Sequence, residues 1–131
     1  MNMAGSVLVD TNVVVAYFRG DKVLHPHFAG VTPVYLPWVV LGELHFGAQR
    51  GQRRQEQLAY IHDLLTYAVV LFPDQDTTEM YGQVKAELAR LGRPIPDNDL
   101  WIAALARQHD SPLATRDAHF AQVPGLKTLA W

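Results

Sequence analysis

Short apolar runs rich in β-branched residues, each halted by a polar residue or proline and followed by a helical pattern, are what most restricts the fold of this chain. Ser6 to Val9 is the first, bounded by Gly5 and the polar group Asp10-Thr11-Asn12, after which Val13 to Phe18 continues as a helix. Val34 to Leu36 is a second strand, and Pro37 suits the first turn of a helix that runs to about Gln49, before Gly51. Gln52 to Thr66 reads as another helix, with Leu58, Ile61 and Leu65 on one face. Val69 to Phe72 is a third strand, closed by Pro73. A long helix from Asp74 to Leu91 ends at Gly92, and Pro96 opens a strongly apolar one from Asp97 to His109. Leu113 to Thr115 and Lys127 to Leu129 are the last two strands. Strands alternating with helices at this spacing imply an α/β sandwich whose parallel sheet is covered on both faces. No internal repeat, linker or low-complexity segment interrupts it, so residues 1–131 are expected to form a single domain.

Composition narrows the function. With 49% hydrophobic and 18% charged residues, the chain has enough apolar material for a buried core and is not of the disordered class. The longest apolar stretches, Val13 to Phe18 and Leu100 to Ala106, are far short of the roughly 18 to 20 residues of a membrane span. The N-terminus has no cationic segment leading into a secretory core, so a cytoplasmic location without membrane attachment is expected. The absence of cysteine excludes disulfides, thiolate metal sites and a cysteine nucleophile, leaving oxygen and imidazole to hold any metal. A formal charge of −2 gives no global attraction to nucleic acid. If four of the thirteen acids are set aside as a metal site, nine remain against eleven Lys and Arg, and the rest of the molecule is mildly basic.

Those four are Asp10, Glu43, Asp99 and Asp117. Asp10 and Asp117 each follow a strand, at the carboxyl end where open parallel sheets place their ligand sites. Taken singly, each reads as readily as a turn or helix-cap residue. Glu43 has Val39, Val40, Phe46 and Gly47 at helical spacing and no cation among them. A carboxylate on an apolar face is either displaced outward or turned toward a partner, because a buried unpaired charge costs several kcal/mol. Asp99 repeats the pattern with Ile95, Pro96, Ile102 and Ala103; alternatively it is a first-turn acid favoured by the helix dipole. Asp97 is the better N-cap candidate of that pair, although LWIAALA is apolar nearly all round and periodicity does not separate them. Carboxylates converging on one site repel unless a cation neutralises them, and hard oxygen ligands select Mg²⁺ or Mn²⁺. Such ions serve phosphodiester hydrolysis. Thr11, Asn12 and Thr115 are placed to hydrogen-bond the acids, and are also ordinary turn residues.

In order and spacing, LVDTN, the isolated Glu43, GRPIPDNDLWIAALA and LATRDAHFAQVPGL together resemble PIN-domain toxins of the VapC type over nearly the whole chain. The resemblance implies a PIN-like three-layer α/β/α sandwich with a small, mainly parallel sheet. It implies an Mg²⁺- or Mn²⁺-dependent endoribonuclease of a type II toxin–antitoxin pair, inhibited by a cognate antitoxin protein. Asp10, Glu43, Asp99 and Asp117 would be its catalytic and metal-binding acids; the fourth is the most variable in the family. It further implies a homodimer, with dimer and antitoxin contacts around Trp38 to Thr66. GRPI and VPGL point to members that cleave tRNA.

Arg50, Arg53 and Arg54 form the one local basic cluster and, with Arg116 beside the proposed site, are candidates to grip RNA phosphates; solvated helix ends explain the cluster equally well. His25-Pro26-His27 lacks the helical spacing of a zinc pair, so no histidine ligand is expected, and His119 is expected near the rim. Trp38 and Trp101 are able to stack a base but lie in apolar helical stripes and are assigned to the core. An aspartyl-nucleophile phosphatase is disfavoured because Asn12 stands where its second carboxylate belongs. A catalytically silent RNA- or antitoxin-binding module on the same fold is the remaining alternative, and the presence of all four acids argues against it.

Overall fold

The computed structural model describes residues 3, 5–30 and 32–131. Five strands, β1 (Val7–Val9), β2 (Val34–Pro37), β3 (Val69–Leu71), β4 (Leu113–Ala114) and β5 (Thr128–Leu129), form one sheet in the order β3-β2-β1-β4-β5. Every neighbouring pair is parallel, with Leu8 opposite Tyr35 on one side and Leu113 on the other. The helices are α1 (Thr11–Phe18), α2 (His25–Ala29), α3 (Trp38–Arg50), α4 (Arg54–Leu64), α5 (Gln75–Arg90) and α6 (Asp97–Gln108). Packing of α3 on α1 and α4, and of α5 on α6, completes a three-layer α/β/α sandwich.

All residues of β1 and β2 are buried. This is why both read as unbroken apolar runs rather than alternating ones: helices cover each face of the sheet. Ile102 to Ala106 are likewise all buried, which accounts for the all-round apolar character of α6. Gly92, at φ 67°, supplies the left-handed residue that ends α5.

The structure moves several boundaries. Helix α1 starts at Thr11 rather than Val13, because Asp10 caps it. Pro37 is not in a helical first turn: it pairs with Leu71 as the last residue of β2, and its extended ψ of 140° makes it the residue before α3. Helix α4 begins at Arg54, not Gln52, and β3 and β4 each end one residue early. The sequence reading left residues 20–30 unassigned, and they hold a 3-10 turn (Lys22–Leu24) and α2. Buried Leu24 and Phe28, four apart, anchor them beneath Tyr17, whose ring stacks on Phe28 at 4.1 Å. Among the described residues no helix is long and apolar enough to cross a membrane.

Candidate active site

After β1 the chain turns to one side of the sheet for β2 and β3, and later returns to the other side of β1 for β4 and β5. The carboxyl ends of β1 and β4 therefore flank the topological switch point, where side chains leave the sheet into a crevice. Asp10 and Thr115 follow those two ends. The backbone N–H of Asp10 donates to the Ala114 carbonyl at 3.0 Å, which continues the β1–β4 ladder and sets the two side chains face to face.

Asp10 is 5% exposed and fully engaged. Its Oδ2 accepts from the Thr115 hydroxyl at 2.7 Å and its Oδ1 from the Thr11 N–H at 2.8 Å. Thr115 Oγ1 also accepts from the Asp117 N–H at 3.0 Å. The Thr11 hydroxyl donates to Glu43 Oε1 at 3.1 Å, bringing half-buried Glu43 from the middle of α3 to the start of α1. Asn12 Oδ1 accepts from the Arg116 N–H at 3.1 Å, joining the start of α1 to the loop after β4. Thr11, Asn12 and Thr115 thus hold the acids or the backbone that carries them.

The carboxyl groups feel one another. Burial, the largest influence, raises Asp99 to about 6, and the charges of Asp10, Asp117 and Glu43 add to it while His119 opposes them. Burial also raises Asp10, against the bonds from Thr115, Thr11 and Asn12, and Asp117 pushes it further up. Glu43 is raised by burial and by Asp10, with the Thr11 hydroxyl opposing. Asp117 caps the 3-10 turn Ala118–Gln122: its Oδ1 accepts from the His119 N–H at 2.9 Å and lies 3.1 Å from His119 Nδ1. Asp10 and Asp117 are thus both caps, and the charge of Asp117 reaches Asp10.

Among the described residues, no three His, Asp or Glu side chains already stand at the spacing of a metal-coordinating group. The chemistry of the donor set nevertheless fits a hard divalent cation, because the cluster is built from carboxylate oxygens and three of them are raised partly by mutual repulsion.

Other expected site residues fall elsewhere. Asp97 is not the N-cap of α6; Pro96 is, and the exposed Asp97 carboxylate accepts from the Tyr81 hydroxyl and lies 3.8 Å from Lys85 Nζ. The Arg116 guanidinium does not face the acids. It binds Asp21 Oδ2 and the Trp131 carbonyl, each at 2.8 Å, and is committed to the loop after α1. Trp38 and Trp101 are half-buried rather than core, with rings 5.7 Å apart and Tyr81 stacked on Trp101 at 4.0 Å. Arg50 ends α3, Arg53 and Arg54 open α4, and Arg50 and Arg53 line a cleft of about 830 Å³ that reaches Thr11 and Glu43. Sequence reasoning passed over Arg19 and Phe46 on that cleft, and Asn98, which shares a second cleft of about 390 Å³ with Glu43 and Phe46. Phe46 had the signal of helical spacing from Glu43; Arg19, at the end of α1, and Asn98, adjacent to Asp99, had none.

Residues 7–126 match the family model described as PIN domain. A Mycobacterium tuberculosis protein named Ribonuclease VapC5 is 33% identical over 124 residues, covering 90% of this chain and 87% of that one. A Shigella flexneri protein named tRNA(fMet)-specific endonuclease VapC is 37% identical over 94 residues, 71% of each chain. The crystal structure of VapBC-5 from Mycobacterium tuberculosis, a member of the VapBC family of toxin–antitoxin systems, contains a chain that superposes with a TM-score of 0.77. That chain is 28% identical, and the match covers 97% of this chain and 99% of that one.

Proposed function

Because this chain belongs to the PIN-domain family, with VapC ribonucleases as its relatives, we propose that it is an endoribonuclease, the toxin half of a toxin–antitoxin pair. Its site is Asp10, Glu43, Asp99 and Asp117. The observation that carries the proposal is the gathering of these acids at the switch point, with Asp10, Glu43 and Asp99 held above their ordinary values by burial and by one another. Buried and half-buried carboxylates that raise one another mark a site that a bound cation would relieve.

The four acids would hold Mg²⁺ or Mn²⁺, which when bound supplies positive charge against a phosphoryl oxygen and the departing alkoxide. The rest of the work belongs to the chain. Thr115 and the Thr11 N–H fix both oxygens of Asp10, so the carboxylate presents one rotamer. The Thr11 hydroxyl holds one oxygen of Glu43, and the His119 N–H of the 3-10 turn one oxygen of Asp117. Asp99 is raised by burial and by the charges of Asp10, Asp117 and Glu43, so a cation bound among them would relieve it. Arg50 and Arg53 line the adjoining cleft and offer charge to an RNA backbone leading to the acids. The GRPI and VPGL segments and the 37% identity to a tRNA-directed relative support tRNA as substrate. The likeness to toxin–antitoxin structures supports an antitoxin partner, and a homodimer rests on the sequence resemblance alone.

Cleavage of total RNA with Mg²⁺, with Mn²⁺ and with chelator tests the reading. Discrete metal-dependent cuts are expected from the wild type. Asp10→Asn and Asp99→Asn, folded by circular dichroism, should lose roughly 10²-fold or more, as when an electrostatic stabiliser of a transition state is removed. Full activity in either variant refutes the assignment, and uncut RNA from folded wild type leaves the silent binding module.

A further inference from the structure

Phe46 is a large apolar side chain that the core does not use. It lies three residues beyond Glu43 on α3, 63% of it is exposed, and the Arg50 guanidinium sits over its ring at 5.1 Å. Both clefts beside the acids, of about 830 and 390 Å³, have Glu43 and Phe46 in their walls, so this ring stands where the two meet. The larger cleft carries Arg19, Arg50 and Arg53, and Glu43 is the one acid among the described residues that line it. The smaller carries Asn98, whose side-chain amide both donates and accepts hydrogen bonds.

We propose that Phe46 is the platform on which a base next to the scissile phosphate stacks, with Arg19, Arg50 and Arg53 guiding the strand's phosphates along the larger cleft and Asn98 reading the edge of a base in the smaller. This rests on the ribonuclease reading and adds to it where the substrate lies and which residue grips it. An exposed aromatic face accepts any base, and a guanidinium stacked against that face adds cation–π attraction and stays close to a passing phosphate. Three arginines lining a cleft that also holds Glu43 match a polyanion whose one reacting phosphate must reach the acids, while the ring anchors its neighbour. RNA is therefore favoured over a protein segment for this surface.

The test measures binding to a short labelled single-stranded RNA of mixed sequence, and to an abasic strand with the same sugar–phosphate backbone. It uses the Asp99→Asn protein in chelator, so that neither strand is cut. Phe46→Ala should weaken the RNA by about 5- to 100-fold, the range of one lost base stack, and leave the abasic strand unchanged. Phe46→Trp should restore it. Arg19→Gln and Arg50→Gln should weaken both strands. Because Phe46 is exposed, its truncation should leave the melting temperature intact. Unchanged RNA affinity in Phe46→Ala overturns the proposal, as does an equal loss on both strands. A changed oligomeric state by light scattering with unaltered RNA affinity assigns the ring to a protein contact and also overturns it. Wild-type cleavage of total RNA, followed in parallel, separates the readings: cuts that persist while Phe46→Ala binds normally sink the platform alone, and their absence sinks the ribonuclease reading.

Discussion

Replacing Asp99 by asparagine should make the metal-free protein more stable while destroying its activity. A carboxyl held at about 6 instead of 3.8 is ionised at neutral pH against an opposing free energy of ~3 kcal/mol if water screened nothing. Asp99 is only half-buried, so solvent reduces this to about 1 to 1.5 kcal/mol. As the third residue of α6 it also gains about 0.3 to 0.5 kcal/mol from the helix dipole, which asparagine forgoes. Roughly 1 kcal/mol remains, or about 3 to 4 °C in melting temperature for a domain of this size. The sign with pH follows from the direction of the shift. An acid whose pKa is higher folded than unfolded binds its proton more tightly in the fold, so the penalty is full above about 6 and disappears below the unfolded value of 3.8. Thermal unfolding in chelator should show the variant melting higher at pH 7.5, with the gap closing toward pH 4. Adding Mg²⁺ should raise the wild type and not the variant, since a ligand of the folded state stabilises by RT ln(1 + [L]/Kd). A variant that melts at or below the wild type at pH 7.5 in chelator would mean that the acids do not strain one another, and the argument for a cation among them would fail.

Thr115→Val keeps the shape of a buried side chain but removes the donor to Asp10 and the acceptor for the Asp117 N–H, so kcat should fall about 10- to 100-fold while RNA affinity holds; a change confined to KM would refute the positioning role. Leu36→Ala, fully buried in β2, should cost about 2 to 5 kcal/mol, read from the urea midpoint. The Asp74 carboxyl is held below the usual range chiefly by the Thr77 N–H, with Gln108 also donating, so its stabilisation is present at neutral pH and is lost as pH falls through the lowered value. Asp74→Ala should therefore lower the urea midpoint more at pH 7 than in acid; an equal effect at every pH would show that the cap does not act through its charge.

The alternation of strands and helices was legible because β1, β2 and β4 are buried on both faces and α5 carries both a cap, Asp74, and a stop, Gly92. The acids were legible because Glu43 and Asp99 lack cations at helical spacing. What the sequence hid was set by partners distant in the chain. Arg116 looks free beside the acids, yet Asp21, 95 residues away, takes its guanidinium. Trp38 and Trp101 share apolar stripes with core residues, but the stripe's edge is set by where α5 lays Tyr81. Phe46, two residues from both Leu44 and Ala48, lies on the side of α3 opposite that buried stripe, three residues on from Glu43, and is exposed there.

The way the acids are housed bears on how such a cluster survives without a cation. Asp10 caps α1, Asp117 caps the turn after β4 and Asp99 lies in the first turn of α6, so three of the four stand at helical N-termini. There, unpaired N–H groups and, for α1 and α6, the helix dipole favour negative charge. The same backbone groups that start these helices therefore offset part of the repulsion that the site requires. Glu43 lies mid-helix and has no such compensation; its protein donor is the Thr11 hydroxyl. Of the four, Glu43 should accordingly be the acid whose position depends most on a single side chain, and Thr11→Val should release it while leaving Asp10, still held by Thr115 and the Thr11 N–H, in place.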